Sequence, residues 1–510
     1  MVSTPDQPGD QDGRSPAKAE YSKARRYSLL ILFCLAQFVD TFNISALYPA
    51  IPTLAVALGM STAESTWIMS AYSLTFAAFL LISGRISDVY SSKYAFIIGT
   101  ASLGIISLGA GFLNSKIPLI VLRALYGIAG SLTIPSALAL IVAVFPEPLE
   151  QSRAIGAFGG CAAIGNVLGF IIGGIFSQFA SWHWVFWFVT LISLPVAGLC
   201  LLLIPDQPRR PIDDLPRWTR FKRLDIVGVG ILTAALILFI FAVISGSTNG
   251  WATVIVLVPL FISVAMLVCF FFYETRIPIE RAAIPPYTWF YPNFSVVFGA
   301  SLLPFFWWAV ISLVFTNLWQ GVYHRSPIST AIHLIPSSVA AFFASFTGPL
   351  SRHISPKWLI LLGQLLIIAA SLLLAFADGA DKYWRLDFPG FALGSAGAQL
   401  IYTHTNVAIF RTTPPSMAGT VGAIYNGALQ LGSAVGLASI TSIENSVNAR
   451  HGGPDSYAGV SAAYWFVFAT ACVEMGAILL WYDVQAERMQ DGKEKDGGAV
   501  STAYVEKASC

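Results

Sequence analysis

The chain has 510 residues, of which 56% are hydrophobic and only 11% are charged, against about 25% charged in an ordinary globular protein. This composition excludes a soluble protein and predicts an integral membrane protein with many spans. The formal net charge of +2, without a basic stripe, argues against a nucleic-acid partner. The cysteines and histidines lack metal-ligand spacing, so we expect no disulfide framework, metal site or cofactor.

Apolar runs long enough to cross a bilayer dominate the chain. A spanning helix needs about 20 mostly apolar residues, and fourteen runs meet this condition, grouped as six, two and six. The sequence therefore predicts an all-α membrane protein. The predicted spans are 29–49, 67–83, 95–112, 117–144, 154–176, 185–204, 226–245, 251–272, 294–318, 330–350, 358–377, 388–410, 418–442 and 462–481.

This grouping predicts two six-helix bundles, covering 28–205 and 294–482, with two additional spans at 226–272 between them. Polar segments connect these units and form both ends of the chain. The tails are expected to be cytoplasmic, and the first of them, having no apolar core, does not resemble a secretory signal peptide. The connecting segments are 206–225 and 273–293, and the tails are 1–27 and 483–510.

The distribution of positive charge predicts the orientation. Of the 29 Lys and Arg residues, 23 fall in segments on the side of the N-terminus and 5 on the other side. Because cytoplasmic loops carry the excess of positive residues, both termini are expected in the cytoplasm.

A repeat links the two groups of six spans. Gly84, Asp88 and Lys93 follow span 2, and Gly348, Arg352 and Lys357 follow span 10 with a constant offset of 264 residues. Duplicated halves of this kind are common in secondary transporters. The repeat therefore favours two pseudo-symmetric bundles.

The first span carries an acidic residue near its middle. Asp40 lies 11 residues into the span, about 16 Å deep. A carboxylate there is costly unless it is paired, hydrated or protonated, so it is a functional candidate. Gln37 and Asn43 lie three residues to either side, on the same helix face, and are candidates for binding substrate.

Arg123 in span 4 lies at nearly the same depth as Asp40, about 5 Å away along the membrane normal. The two side chains are therefore able to pair. Burial favours the protonated carboxyl and pairing favours the ionised one, so the pair is a candidate proton carrier. The alternative interpretation is a fixed buried ion pair that orients two helices.

Further polar and aromatic candidates lie in the second half. In span 12, Gln399, Thr403 and Asn406 form a polar stripe at helical spacing. His404 is offset by about 100° from Thr403. It therefore either contacts the substrate or a proton, or faces a neighbouring helix. Trp307 in span 9 lies in mid-membrane, and either stacking on substrate or packing explains it.

Span 5 is rich in glycine. Gly165, Gly169 and Gly173 are four residues apart and share one face, where another helix backbone can approach closely. Gly174 follows directly.

Four segments resemble motifs of the major facilitator superfamily, specifically its fourteen-span drug:proton antiporters. Gly84–Phe96 resembles the signature turn, with Gly84, Asp88 and Lys93 matching. Leu122–Ser131 resembles the span 4 motif, and Gly165–Gly174 resembles the antiporter motif of span 5, with Asn166 replacing the usual proline. The fourth segment, Gln37–Pro52, resembles the first-span motif of fungal exporters of this kind.

The resemblance implies a major facilitator fold and an alternating-access transporter, not an enzyme. It implies export of drugs, toxins or secondary metabolites in exchange for protons, with Asp40 and Arg123 coupling to the proton and the signature turn bracing the halves. A proton-coupled importer or facilitator on the same scaffold, or a non-transporting membrane sensor, is the alternative. We expect a monomer in the plasma membrane, or else the vacuolar membrane, with small molecules and protons as its partners.

Overall fold

The computed structural model describes residues 22–145, 147–204, 225–277, 284, 286–413, 418–451, 453 and 456–485. Within these ranges the protein is built from fourteen long helices. The first eight are α1 (Lys23–Ala57), α2 (Thr62–Val89), α3 (Ser92–Ala110), α4 (Lys116–Val144), α5 (Pro148–Phe179), α6 (His183–Leu203), α7 (Ile226–Asn249) and α8 (Val254–Glu274).

The remaining six helices follow a short 3-10 turn at Pro286–Phe290. The first of them, α9, comprises two α-helical pieces and a π turn, together Phe294–Val322. The others are α10 (Pro327–Ser345), α11 (Pro356–Ala375), α12 (Phe388–Arg411), α13 (Ala418–Asn448) and α14 (Ala458–Trp481).

Each predicted span coincides with one of these helices, apart from its ends. The helix for the predicted span 251–272 begins only at Val254. The one for 330–350 ends at Ser345, because Gly348 and Pro349 form a 3-10 turn that does not continue it. Among the described residues, twelve helices are long and apolar enough to cross a membrane, and α12 and α13 are not in that set.

Local sequence sets several helix ends. Ser61 and Glu64 form a reciprocal capping box at the start of α2. Pro327 and Pro356 occupy the first turns of α10 and α11, where a missing backbone N–H costs nothing. Between α1 and α2, Gly59 adopts a φ of +61°, a conformation that favours glycine.

The first six helices and the last six pack in the same pairwise pattern. In the first group α1 packs on α5, α2 on α4, and α3 on both α4 and α6. In the second group the equivalent pairs are α9 with α13, α10 with α12, and α11 with α12 and α14. Both groups therefore share one arrangement, as expected for duplicated halves.

The most extensive contacts between the halves are α2 with α13 and α5 with α10, and the repeat maps each of these pairs onto the other. Helix α7 packs on both α2 and α13, so it covers only one of these two junctions. The Thr233 hydroxyl donates a 2.9 Å hydrogen bond to the Ala78 carbonyl of α2. The Trp251 indole donates one of 2.7 Å to Ser442 of α13.

The two ends of the bundle differ. We call the end where α1 begins and α14 ends the terminal face, and the other end the opposite face. At the terminal face Arg26 pairs with Glu150, and the Lys357 ammonium donates a 2.9 Å hydrogen bond to the Tyr482 carbonyl. These contacts tie helices together within each half.

Candidate functional site

Asp40 lies near the middle of α1, and its side chain is only 4% exposed. It faces α2 and α4. Both of its carboxylate oxygens accept from the Tyr72 hydroxyl of α2, at 3.1 and 3.2 Å. Among the residues that the structure describes, the only hydrogen-bond partner of this buried carboxyl is therefore a neutral hydroxyl.

Arg123 is 1% exposed and lies at the level of Asp40, but it does not pair with it. Its Nη1 donates to Asn43 Oδ1, and its Nε donates to the Ile68 carbonyl at 2.9 Å. The direct ion pair that the sequence allowed is therefore not formed in this structure. Two of the three guanidinium nitrogens donate to an amide and a backbone carbonyl instead.

Two tyrosines complete the surroundings of the arginine. The guanidinium carbon lies 5.1 Å from the Tyr72 ring centroid and 5.4 Å from that of Tyr126. Such cation–π contacts stabilise a desolvated cation. Tyr72 consequently touches both charged groups, one through its hydroxyl and one through its ring.

The two polar residues that flank Asp40 on α1 have different surroundings. Asn43 is fully buried against Arg123, so it belongs to this charged cluster. Gln37 is half-buried, and its amide nitrogen lies 3.5 Å from the Thr41 hydroxyl. Only Gln37 of the two keeps surface for a substrate, and that role stays a prediction for both.

Sequence reasoning missed Tyr72 and Tyr126. A signal existed, because tyrosine in a spanning helix is usually found at the membrane interface, whereas these two lie near the level of Asp40. Tyr126 also follows Arg123 by three residues, which places both on one helix face.

The glycines of α5 lie where its helix meets α1. A methyl group on Gly165 would come within 2.6 Å of the Phe38 carbonyl oxygen, and one on Gly169 within 2.7 Å of Ser45 Cβ. A methyl group on Gly173 would come still closer to the Ala46 carbonyl oxygen. The two backbones thus approach at a spacing that only glycine permits on α5.

The polar stripe of α12 keeps partly exposed surface. Gln399, Thr403 and Asn406 are half-buried, and the Gln399 amide donates a 3.2 Å hydrogen bond to the Thr403 hydroxyl. His404 is fully buried, with Nε2 3.2 Å from the Thr347 hydroxyl. It therefore lies against the segment that follows α10, one of the two positions left open by the sequence.

The two mid-membrane tryptophans of α9 lie in different surroundings. Trp307 has no exposed surface, and its indole nitrogen donates a 3.2 Å hydrogen bond to Ser395. Its position is that of a packing residue. Trp308 is half-buried and lies 5.8 Å from Phe305 and 6.4 Å from Tyr402, between ring centroids. Trp308 and Tyr402 place aromatic surface next to the α12 stripe.

The signature turn between α2 and α3 is only partly described. Gly84 would accept a methyl group without contact, and Lys93 is buried, with its ammonium 5.7 Å from the Tyr94 ring centroid. The side chain of Asp88 lies outside the described residues.

The halves meet at the opposite face. The Gln320 amide donates a 3.1 Å hydrogen bond to the Pro49 carbonyl, and the Ile328 N–H donates one of 3.3 Å to the Gln178 side chain. A methyl group on Gly174 would lie 3.1 Å from the Pro327 carbonyl. By contrast, Gly156 and Gly160, which lie in the half of α5 toward the terminal face, have no atom within 4 Å of such a group.

Comparisons with known proteins agree with this architecture. The Major Facilitator Superfamily pattern matches residues 33–437. The chain is 26% identical over 493 residues to the major facilitator superfamily multidrug transporter mfsC of Aspergillus fumigatus, covering 94% of this chain and 91% of that protein. It is 27% identical to the puromycin resistance protein pur8 of Streptomyces alboniger, covering 94% and 95%.

A solved structure shows the same fold. The human organic anion transporter MFSD10 (TETRAN) superimposes with a TM-score of 0.59 at 16% identity, covering 90% of this chain and all of that one. The chain therefore belongs to the Major Facilitator Superfamily and is a multi-pass membrane transporter, not an enzyme.

Proposed function

We propose that this transporter exports small amphipathic or hydrophobic compounds in exchange for protons. The observation that carries the proposal is Asp40, a buried carboxyl beside a buried arginine that it does not pair with. The likeness to two relatives, a multidrug transporter and a puromycin resistance protein, supports export of organic compounds.

Proton coupling follows from the cost of charge inside a membrane. An isolated carboxylate in a spanning helix is costly, so burial favours the neutral acid. A nearby guanidinium favours the ionised form. Asp40 next to Arg123 thus changes its protonation when small movements alter its distance from that cation or its access to water.

Alternating access is supported by the difference between the two faces. Contacts such as Gln320 with Pro49 close the halves at the opposite face, while a methyl group on Gly156 or Gly160, in the half of α5 toward the terminal face, would meet no atom within 4 Å. The excess of positive charge on the terminal side supports a cytoplasmic position for that face. The structure then corresponds to an inward-open state.

Substrate binding in this proposal uses the partly exposed groups of the second half. Gln399, Thr403 and Asn406 offer hydrogen bonds, and Trp308 and Tyr402 offer aromatic surface. None of these five side chains is charged. The combination suits neutral or weakly charged organic molecules better than ions, since binding sites for such molecules are mostly apolar with a few oriented polar groups.

The remaining features of the proposal concern the scaffold. Helices α12 and α13 complete fourteen spans, with α7 and α8 as the additional pair between the halves. We place both termini in the cytoplasm and the protein in the plasma membrane, as a monomer driven by the proton gradient.

The test is accumulation of a fluorescent amphipathic dye in cells that express wild type or Asp40→Asn, with and without a protonophore. The proposal predicts lower accumulation with wild type, and loss of this difference with the protonophore or the substitution. Asp387→Asn is the matched control, because Asp387 is also buried, at 5% exposed, but lies at the start of α12. Unchanged export by Asp40→Asn would refute the role of Asp40.

A further inference from the structure

The two junctions between the halves are covered differently. At one of them α7 lies across α2 and α13, and the three helices share a buried apolar cluster, which consists of Leu74, Ile240, Val243, Ile244, Ala434 and Ala438. At the other junction α5 meets α10, and neither α7 nor α8 packs extensively on these two helices in the described part of the chain. A third helix therefore covers the first junction but not the second.

The repeat allows a direct comparison of the two junctions. Its offset of 264 residues maps Phe342 of α10 onto Ala78 of α2. The Ala78 carbonyl accepts the 2.9 Å hydrogen bond from Thr233 of α7. The same offset maps Phe346, which is 65% exposed, onto Ile82, which is half-buried. Helix α7 thus covers on α2 a surface whose equivalent on α10 is exposed.

The uncovered junction is closed at one end only. A methyl group on Gly174 of α5 would lie 3.0 Å from Ala331 Cβ of α10, so the two helices touch there. Gly156 and Gly160 precede Gly174 by 18 and 14 residues and point to the same side of α5. A methyl group on either of them would meet no atom of the described residues within 4 Å. The helices therefore leave a space between them toward the terminal face.

Phenylalanines of α10 form the other wall of this space. Phe342 and Phe346 follow Ala331 by 11 and 15 residues, which points both within about 60° of its direction, toward α5. Their ring centroids are 5.1 Å apart. We call the space between these two rings and Gly156 and Gly160 the α5–α10 gap. Both of its walls are apolar.

The α5–α10 gap lies next to the polar stripe of α12. Thr347 directly follows Phe346, and its hydroxyl lies 3.2 Å from His404 Nε2. A methyl group on Gly348 would lie 3.7 Å from Thr403 Cγ2, which belongs to the stripe. A molecule that enters through the gap therefore arrives beside the proposed substrate-binding groups.

We infer that the α5–α10 gap is a lateral portal, through which amphipathic or hydrophobic compounds dissolved in the bilayer reach the binding site. Such compounds concentrate in lipid because their apolar surface leaves water. Helix α7 keeps the junction of α2 with α13 closed, which gives this additional span a role. The inference rests on the proposed export function and adds the route that the substrate takes.

A charge placed in the portal should act on a charged substrate according to its sign. Phe346→Lys introduces a cation and Phe346→Glu an anion at the same point. A cationic dye that passes this point is repelled by the lysine and attracted by the glutamate. We expect export at low dye concentration to be about threefold to tenfold slower with the lysine than with the glutamate. A folding defect would lower export by both variants.

The experiment measures protonophore-sensitive efflux of rhodamine 6G, a cationic amphipathic dye, from cells that express the full-length variants. The dye is kept below saturation, and each rate is divided by the amount of transporter in the membrane. Phe272→Lys and Phe272→Glu are the matched controls. Phe272 is 61% exposed and lies two residues before the end of α8, a helix that packs on α7 and borders neither junction.

Slower export by Phe346→Lys than by Phe346→Glu, without a difference between the two Phe272 variants, supports the portal. Equal export by the two Phe346 variants, a reversed order, or the same difference at Phe272 overturns it, since entry through the aqueous opening between the halves bypasses this point. Efflux by wild type separates the two levels. If wild type does not export the dye by proton drive, the proposed function fails and the portal with it; if it does, the result at Phe346 decides the portal alone.

Discussion

The Gln320 amide nitrogen donates a 3.1 Å hydrogen bond to the carbonyl oxygen of Pro49, joining α9 of the second half to α1 of the first. The bond lies at the opposite face, where Gly174 of α5 also packs on Pro327 of α10. Gly156 and Gly160 lie 18 and 14 residues before Gly174, so they point to the same side of α5. Helices α5 and α10 therefore touch at one end and separate toward the other.

This geometry predicts which surfaces meet when the terminal face closes. The helices are antiparallel, so Phe342, 14 residues beyond Ile328, lies opposite Gly160. A leucine at Gly160 would oppose closure by about 1–3 kcal/mol. We expect Gly160→Leu to lower transport by about tenfold and added Phe342→Ala to restore part of it, measured as dye efflux.

Gly198→Leu is the control for that experiment, because a methyl group there also meets no atom within 4 Å, on α6. Wild-type efflux by Gly160→Leu, or an equal loss with Gly198→Leu, would show that α5 and α10 do not close over this surface.

The contact between α5 and α1 gives a second prediction, about stability. The nearest atom to a methyl group on Gly165 is backbone, the Phe38 carbonyl oxygen at 2.6 Å, which cannot rotate away. We expect Gly165→Ala to destabilise the protein by about 1–3 kcal/mol and to lower its melting temperature in detergent. Gly198→Ala should melt as wild type, and a wild-type melting temperature for Gly165→Ala would mean that the helices are farther apart.

Asp387, at the start of α12, gives a prediction about pH. Burial raises the pKa of this carboxyl from 3.8 to about 7. Between these values the folded protein holds a proton that the unfolded chain releases, so stability falls as pH rises toward 7. The side chains of Tyr323, Tyr383, Tyr457 and Tyr464 interact with it electrostatically and are neutral in this range.

Replacing the acid should remove this dependence. We expect the melting temperature of wild type to fall by a few degrees between about pH 5 and about pH 8, and that of Asp387→Asn to fall less. Parallel melting curves for the two proteins across this range would show that Asp387 is solvated in both states.

The sequence predicted the helices well because each apolar run has to satisfy its own backbone hydrogen bonds in lipid. It predicted the depth of Asp40 and Arg123 from residue counts. It did not predict the hydrogen-bond partners of these two residues. The contact between Tyr72 and Asp40 depends on how α2 is rotated about its axis and on how α1, α2 and α4 are placed relative to one another. Trp307 and Trp308 show the same limit: adjacent residues point about 100° apart, and only packing decides which is buried.

The most direct test of the central claim is proton movement by the purified protein in liposomes. A pH-sensitive dye inside the liposomes reports protons when an amphipathic substrate that wild-type cells export is added outside. The account predicts a substrate-dependent pH change with wild type and none with Asp40→Asn, although both proteins bind the substrate. A pH change of equal size with Asp40→Asn would contradict proton exchange through Asp40.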